Sequence, residues 1–150
     1  ILNIVGPISD LIYYNELKNL VIQLDLIDNV NFITSVKQEQ LVSFYQSADV
    51  LLLPSKHESF GMVITEAMAC GTPVISLVGS GGPEEIIENG FDGFVVPGEN
   101  FRYTVLNLLS DESLLGELSK NALVSVENKW SQNRTAEILL GLINENVFYE

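Results

Sequence analysis

A chain of 150 residues has room for one ordinary domain, and 47% hydrophobic against 18% charged residues supplies a packed core and argues against disorder. Seven Lys and Arg against twenty Asp and Glu leave a net charge of -13, which removes the basic footprint of a nucleic-acid binder and disfavours contact with anionic lipid. The single cysteine excludes an intrachain disulfide, and no apolar run reaches the ~18 residues of a membrane span.

Ile1–Gly6 is a β-branched run ending in Gly-Pro and reads as a core strand, not as a leader peptide. Tyr13–Leu26 carries Leu17, Leu20, Val21 and Leu24 at helical spacing, Val30–Ser35 alternates like a strand, and Gln38–Gln46 is helical with Leu41, Val42 and Tyr45 on one face. Asp49–Pro54 is a continuous apolar run of the kind found in strands buried on both faces. A polar loop, Ser55–Ser59, leads to a helix over Gly61–Cys70 that Gly71 stops, then to a strand over Pro73–Leu77. Gly79–Gly82 is a glycine-rich turn, Pro83–Glu88 a short helix with Pro in its first turn, and Gly93–Val96 a strand. Three helices follow: Phe101–Leu109, Glu112 to about Glu127 with Asp111 as N-cap, and Gln132 to about Val147 with Ser131 as N-cap. Alternating strands and helices with short connections predict one α/β domain over 1–150, a Rossmann-like parallel sheet with helices on both faces. Such sheets bind ligands at the carboxyl ends of their strands, here the loops after Gly6, Ser35, Pro54, Leu77 and Val96.

The loop after the most apolar strand concentrates the chemistry. Glu58 lies in it, Glu66 lies on the following helix, and seven residues separate them. Phe60-Gly61 stands at the helix start, where unpaired backbone N–H groups form an anion site and glycine lets a ligand approach the backbone closely. Two carboxylates flanking an anion site suit a diphosphate that carries hydroxyl-rich groups at both ends. Glu66 falls on the flank of the stripe formed by Val63, Ile64, Ala67 and Met68, which brings it to the rim. Taken singly, each of these residues has a plainer reading. A Glu on a helix or loop is ordinarily a solvated charge, His57 beside Lys56 a loop residue, and Met62 and Met68 packing residues. Cys70 reads as a small core residue, because no basic neighbour in sequence lowers its pKa. The functional reading rests on their combination at one strand end.

The run Ala48–Ile75 resembles the signature of the family 4 retaining glycosyltransferases of the GT-B fold. Ala48-Asp49, Pro54-Ser55, Glu58, Phe60-Gly61, Glu66-Ala67-Met68-Ala69-Cys70-Gly71 and Pro73-Val74 all follow that pattern. Weaker likeness extends through Asp28-Asn29-Val30 with Phe32, Gly81-Gly82-Pro83-Glu84 and Gly93 to Pro97. The resemblance implies the donor-binding, C-terminal half of such an enzyme. It gives Glu66 the ribose hydroxyls and Glu58 the reacting centre. The segment Ser59, Phe60, Gly61, Met62 and Val63 receives sugar or diphosphate, and Thr34, Ser35 and Val36 border the base. It implies a nucleotide sugar as donor, no metal and no other cofactor, in keeping with the absence of an Asp-x-Asp motif. A glycan, lipid or protein acceptor would bind a domain ahead of this one. The setting implied is cytoplasmic, with any peripheral contact to the inner face of the membrane made through that preceding part.

Two departures accompany the likeness. Thr34-Ser35 stands where the family has glycine, and no residue here matches the Arg and Lys of an earlier strand and loop that neutralise the diphosphate. Because Ile1–Gly6 resembles the second strand of that domain, the first, central strand is expected to be absent. The gap could close by direct pairing of Ile1–Gly6 with Asp49–Pro54, be filled by a strand from a neighbouring chain or stay open; one of the first two is expected, leaving a domain that binds donor weakly and transfers nothing alone. The rival readings are a non-catalytic nucleotide-binding or protein-interaction α/β domain and a sugar-nucleotide epimerase of related fold. A phosphoacceptor receiver would need acidic residues where Gly6-Pro7 and Pro54-Ser55 stand.

Overall fold

The computed structural model describes residues 1–146 and comprises two compact units, Ile1–Leu41 and a second beginning at Val42. The end of the last expected helix, at Val147, lies outside the described residues.

In the first unit, β1 (Leu2–Val5) and β2 (Val30–Ile33) pair in parallel, from Leu2 opposite Val30 to Val5 opposite Ile33, with α1 (Leu11–Gln23) between them. The helix starts earlier than its apolar spacing predicts. The Asp10 carboxylate caps it, accepting from the Ile12 and Tyr13 amides at 2.8 and 3.0 Å. Its packed face also differs from the expected stripe. Tyr14, Leu17 and Val21 are half-buried, the Tyr14 ring meeting Phe32 edge-on at 5.3 Å, whereas Leu20 and Leu24 are 48% and 57% exposed. One two-stranded ladder offers too little surface to cover a second row of the helix.

The second unit begins within α2 (Gln38–Ser47) and continues with β3 (Leu51–Leu53), α3 (Met62–Ala69), β4 (Val74–Leu77), α4 (Pro83–Ile86), β5 (Gly93–Val96), α5 (Gly98–Leu109), α6 (Glu112–Trp130) and α7 (Gln132–Asn146). Its strands form a parallel sheet in the order β3-β4-β5. The pleat explains the unbroken apolar run of β3. Leu51 and Leu53 pack with Val74 and Val95 against Ile64, Ala67, Met68 and Ala122, while Leu52 packs with Ile75, Phe94 and Val96 against Leu108 and Leu118. Alternate side chains therefore feed two cores, one under α3 and one under α5, with α6 reaching both. On α2, Leu41 and Tyr45 are half-buried as expected but Val42 is 45% exposed. On α3, Ile64, Ala67 and Met68 are fully buried while Val63, expected in the same stripe, is 37% exposed. Both anticipated caps form: Asp111 accepts from the Leu114 amide at 2.9 Å and Ser131 Oγ from the Arg134 amide at 3.2 Å.

All ladders are parallel and carry helices, which is the predicted α/β class. The expected direct pairing of Ile1–Gly6 with Asp49–Pro54 does not occur: among the described residues β1 ladders only with β2, and β3 only with β4. That expectation assumed buried strand edges, where unpaired backbone groups are costly. Leu2 and Ile4 of β1 are 45% and 38% exposed, so water reaches this strand and the penalty is small.

Candidate functional site

The loop leaving β3 is set by backbone contacts with the turn leaving β4. Glu58 donates its amide to the Ser80 carbonyl at 2.7 Å and its carbonyl accepts from the Gly82 amide at 2.9 Å, a parallel bridge between Glu58 and Gly81. The glycine-rich turn owes its composition to this approach. A Cβ on Gly81 would stand 2.6 Å from the Glu58 carbonyl oxygen, and one on Gly82 only 2.0 Å from that of Phe60. The Gly79 and Gly81 amides both donate to the Glu84 carboxylate, the second at 2.9 Å. These two bonds hold the Glu84 carboxyl below the usual carboxylate range. Ser80, buried, donates its hydroxyl to the Leu77 carbonyl at 2.7 Å.

Helix α3 begins where this loop ends. Its N-cap Gly61 has φ +94°, a left-handed conformation that disfavours any side chain, and no side chain caps the helix. A Cβ there would also press on Ile64 Cδ1 at 2.7 Å, while Glu58 Cγ lies 3.4 Å from the same point, in ordinary contact, which places the base of the Glu58 side chain beside the helix start. Met62 is 66% exposed and Val63 37%, which leaves the first turn open to solvent with the positive end of its dipole outward. The Phe60 ring meets Trp130, at the end of α6, edge-on at 5.3 Å.

Glu66 is half-buried on α3, and the Tyr45 hydroxyl donates to its Oε2 at 2.9 Å. Burial first, then the hydrogen bond to Glu66 and its negative charge, push the Tyr45 pKa well above that of a free phenol. Tyr45 is itself held by α3's exit, because the Thr72 hydroxyl donates to its carbonyl at 2.6 Å. Cys70, one turn beyond Glu66, has its thiol pKa raised by burial and then by the Glu66 charge, which suits the expected inert packing residue.

In the first unit, Thr34 and Ser35 are exposed and Val36 half-buried. Thr34 borders a cavity of about 270 Å³ at the carboxyl ends of β1 and β2, lined also by Gly6, Asp10, Tyr13, Tyr14 and Phe32.

This arrangement, a carboxylate loop and an uncapped helix at the carboxyl end of a parallel sheet, has relatives. Residues 1–124 match the family model described as glycosyl transferases group 1. The chain belongs to the group 1 glycosyl transferases. It is 37% identical over 110 residues to a D-inositol 3-phosphate glycosyltransferase of Streptomyces bingchenggensis, covering 71% of this chain and 24% of that protein. A sucrose-phosphate synthase from Thermosynechococcus elongatus has a similar structure, with a TM-score of 0.81 and 30% identity over 98% of this chain and 38% of that one. Anabaena HepE in complex with UDP-glucose superposes with a TM-score of 0.78 at 26% identity, over 95% of this chain and 40% of that one. The chain thus spans about a quarter to two-fifths of the length of these relatives.

Within this glycosyltransferase domain, Glu58, Ser59, Phe60, Gly61, Met62, Val63 and Glu66 occupy one continuous loop–helix segment of the second unit, while Thr34, Ser35 and Val36 lie in the first. Three contributors are not legible along the chain: Tyr45 reads as part of a packing face, Glu84 as part of the loop likeness Gly81-Gly82-Pro83-Glu84, and Trp130 as a helix residue without a role. Their sequence signals are those of ordinary helix residues, and only their partners distinguish them.

Proposed function

We propose that this chain is the nucleotide-sugar-binding domain of a retaining glycosyltransferase that works in the cytoplasm in glycan assembly, with its acceptor bound by a domain outside the chain. The observation that carries the reading is the α3 entrance. An uncapped helix start with a left-handed glycine lies between Glu58, whose Cγ stands beside it, and Glu66, held by Tyr45. Backbone N–H groups there suit the diphosphate, whose negative charge grows as the sugar bond breaks. The Glu58 carboxylate stabilises the positive charge that develops on the transferred sugar. Glu66 accepts hydrogen bonds from the ribose hydroxyls, its second oxygen already oriented by Tyr45. The UDP and UDP-glucose complexes of HepE support a nucleotide-sugar ligand for this fold.

No metal enters this scheme: the α3 amides carry diphosphate charge, and the Arg and Lys that the resemblance places on an earlier strand and loop would carry the rest. Transfer is therefore expected to survive chelator, and restoration of lost activity by manganese would contradict it. Glu66→Gln should raise the donor KM about tenfold or more, as loss of charged hydrogen bonds worth ~1.5–3 kcal/mol requires. Glu58→Gln should lower kcat by roughly 10²-fold with little change in KM. Unchanged kinetics in both would refute the assigned roles. The isolated chain should bind donor weakly in calorimetry and show no turnover.

A further inference from the structure

A glycine turn at the carboxyl end of β4, with two amides pointing into one spot, has the form of a phosphate cradle. In this chain the spot is filled from within. Glu84 accepts from both the Gly79 and Gly81 amides. The far side of the same turn grips Glu58 through the bonds from Glu58 N to Ser80 O and from Gly82 N to Glu58 O, at 2.7 and 2.9 Å. Four hydrogen bonds thus run in series from one carboxylate to the backbone of another.

We infer that Glu84 is a positioning residue for sugar transfer: it acts as the turn's built-in anion and, through Gly79–Gly82, fixes the backbone of Glu58 relative to the α3 entrance. The inference rests on the role proposed for Glu58. Several features go beyond ordinary helix capping. Helix α4 has only four residues, and Glu84 reaches back past its start to Gly79, five residues earlier. Gly79 and Gly81 have φ of +80° and +106°, a left-handed conformation that glycine adopts without strain, and the turn so formed presents both amides to one carboxylate. The contact is close: a methyl group on Gly81 or Gly82 would strike the Glu58 or Phe60 carbonyl. A shift of the turn is therefore transmitted directly to Glu58. Because the carboxylate is held below its usual pKa, the anion is present throughout the neutral range. The turn is thus closed to substrate phosphate, which leaves the α3 amides as the diphosphate site.

The test is made in the full-length enzyme of which this chain is proposed to be the donor-binding part, with Glu84→Gln and, as a second variant, Glu84→Asp. Glutamine keeps the shape but replaces one acceptor by a donor facing an amide. Aspartate keeps the charge at a shorter reach. Because misplacement of a reacting group by about 1 Å costs up to 10²-fold, Glu84→Gln should lower kcat ten- to a hundredfold while donor KM stays within about twofold. Glu84→Asp should fall between it and the parent. Hydrogen exchange should show faster exchange at Gly79, Gly81, Gly82 and Glu58 with β5 unchanged. A parent-like kcat despite loosened amides would overturn the inference, as would equal losses in kcat and KM. Failure of Glu84→Gln to fold leaves Glu84→Asp and the exchange data to decide by the same criteria. Glu58→Gln run beside them separates the two claims. If it leaves turnover intact, the role of Glu58 fails; if it abolishes turnover while Glu84→Gln does not reduce it, only the positioning role fails.

Discussion

Replacing Gly82 by alanine tests the close approach on which the site's geometry depends. Gly82 has φ -46° and ψ -38°, a helical conformation open to any residue, so the substitution carries no backbone strain. What it lacks is space. The new Cβ would stand 2.0 Å from the Phe60 carbonyl oxygen and 2.4 Å from its carbon, about 1.4 Å short of the 3.4 Å at which ordinary contact begins. The obstacle is backbone, so no rotamer change relieves it. Forced overpacking of this kind costs about 1–3 kcal/mol, and an immovable partner places the change near 3. With a urea slope of ~2 kcal/mol/M, the unfolding midpoint should fall by roughly 1–1.5 M. Trp130, the only tryptophan, packs on the Phe60 ring at 5.3 Å and reports both the transition and any change in the folded loop. Gly98→Ala is the control: nothing lies within 4 Å of its Cβ, at the first position of α5, and it should be neutral or stabilising by up to ~1 kcal/mol. A midpoint for Gly82→Ala within ~0.2 M of the parent, with unaltered Trp130 emission, would refute the argument.

Three further outcomes are expected. Tyr45→Phe keeps the ring but removes the donor to Glu66, and should raise donor KM about three- to tenfold at nearly constant kcat; equal losses in both would show that the hydroxyl does more than orient Glu66. Glu84 has a folded pKa below its unfolded value of ~4.3, so its stabilisation is fully present above that value and is lost as pH falls through the folded pKa. The urea midpoints of the parent and Glu84→Gln should accordingly converge in acid, and a gap that persists unchanged to pH ~2 would contradict the linkage. Cys70, its thiol pKa raised by burial and by Glu66, should react with iodoacetamide at pH ~8 more slowly than a free cysteine, and faster reaction would count against the packing assignment.

The sequence by itself determined the class of fold and the segment proposed to carry the chemistry. The unbroken apolar run of β3 marked a doubly covered parallel strand, and Asp111 and Ser131 announced the helices they cap, because strand pleat, helix period and capping are local properties. The spacing of Glu58 and Glu66 across Phe60-Gly61 likewise lies within one loop and one helix, so it could be read in order along the chain. Tertiary structure decided everything that joins distant residues. Tyr45 meets Glu66 across 21 positions, and Phe60 meets Trp130 across 70. The glycines at 81 and 82 looked like turn chemistry and proved to be clearance for another loop's backbone. The exposure of Leu2, Ile4, Leu20 and Leu24 was hidden for the same reason: hydrophobic spacing records which face of an element is apolar, but only the packing of its neighbours decides whether that face is covered.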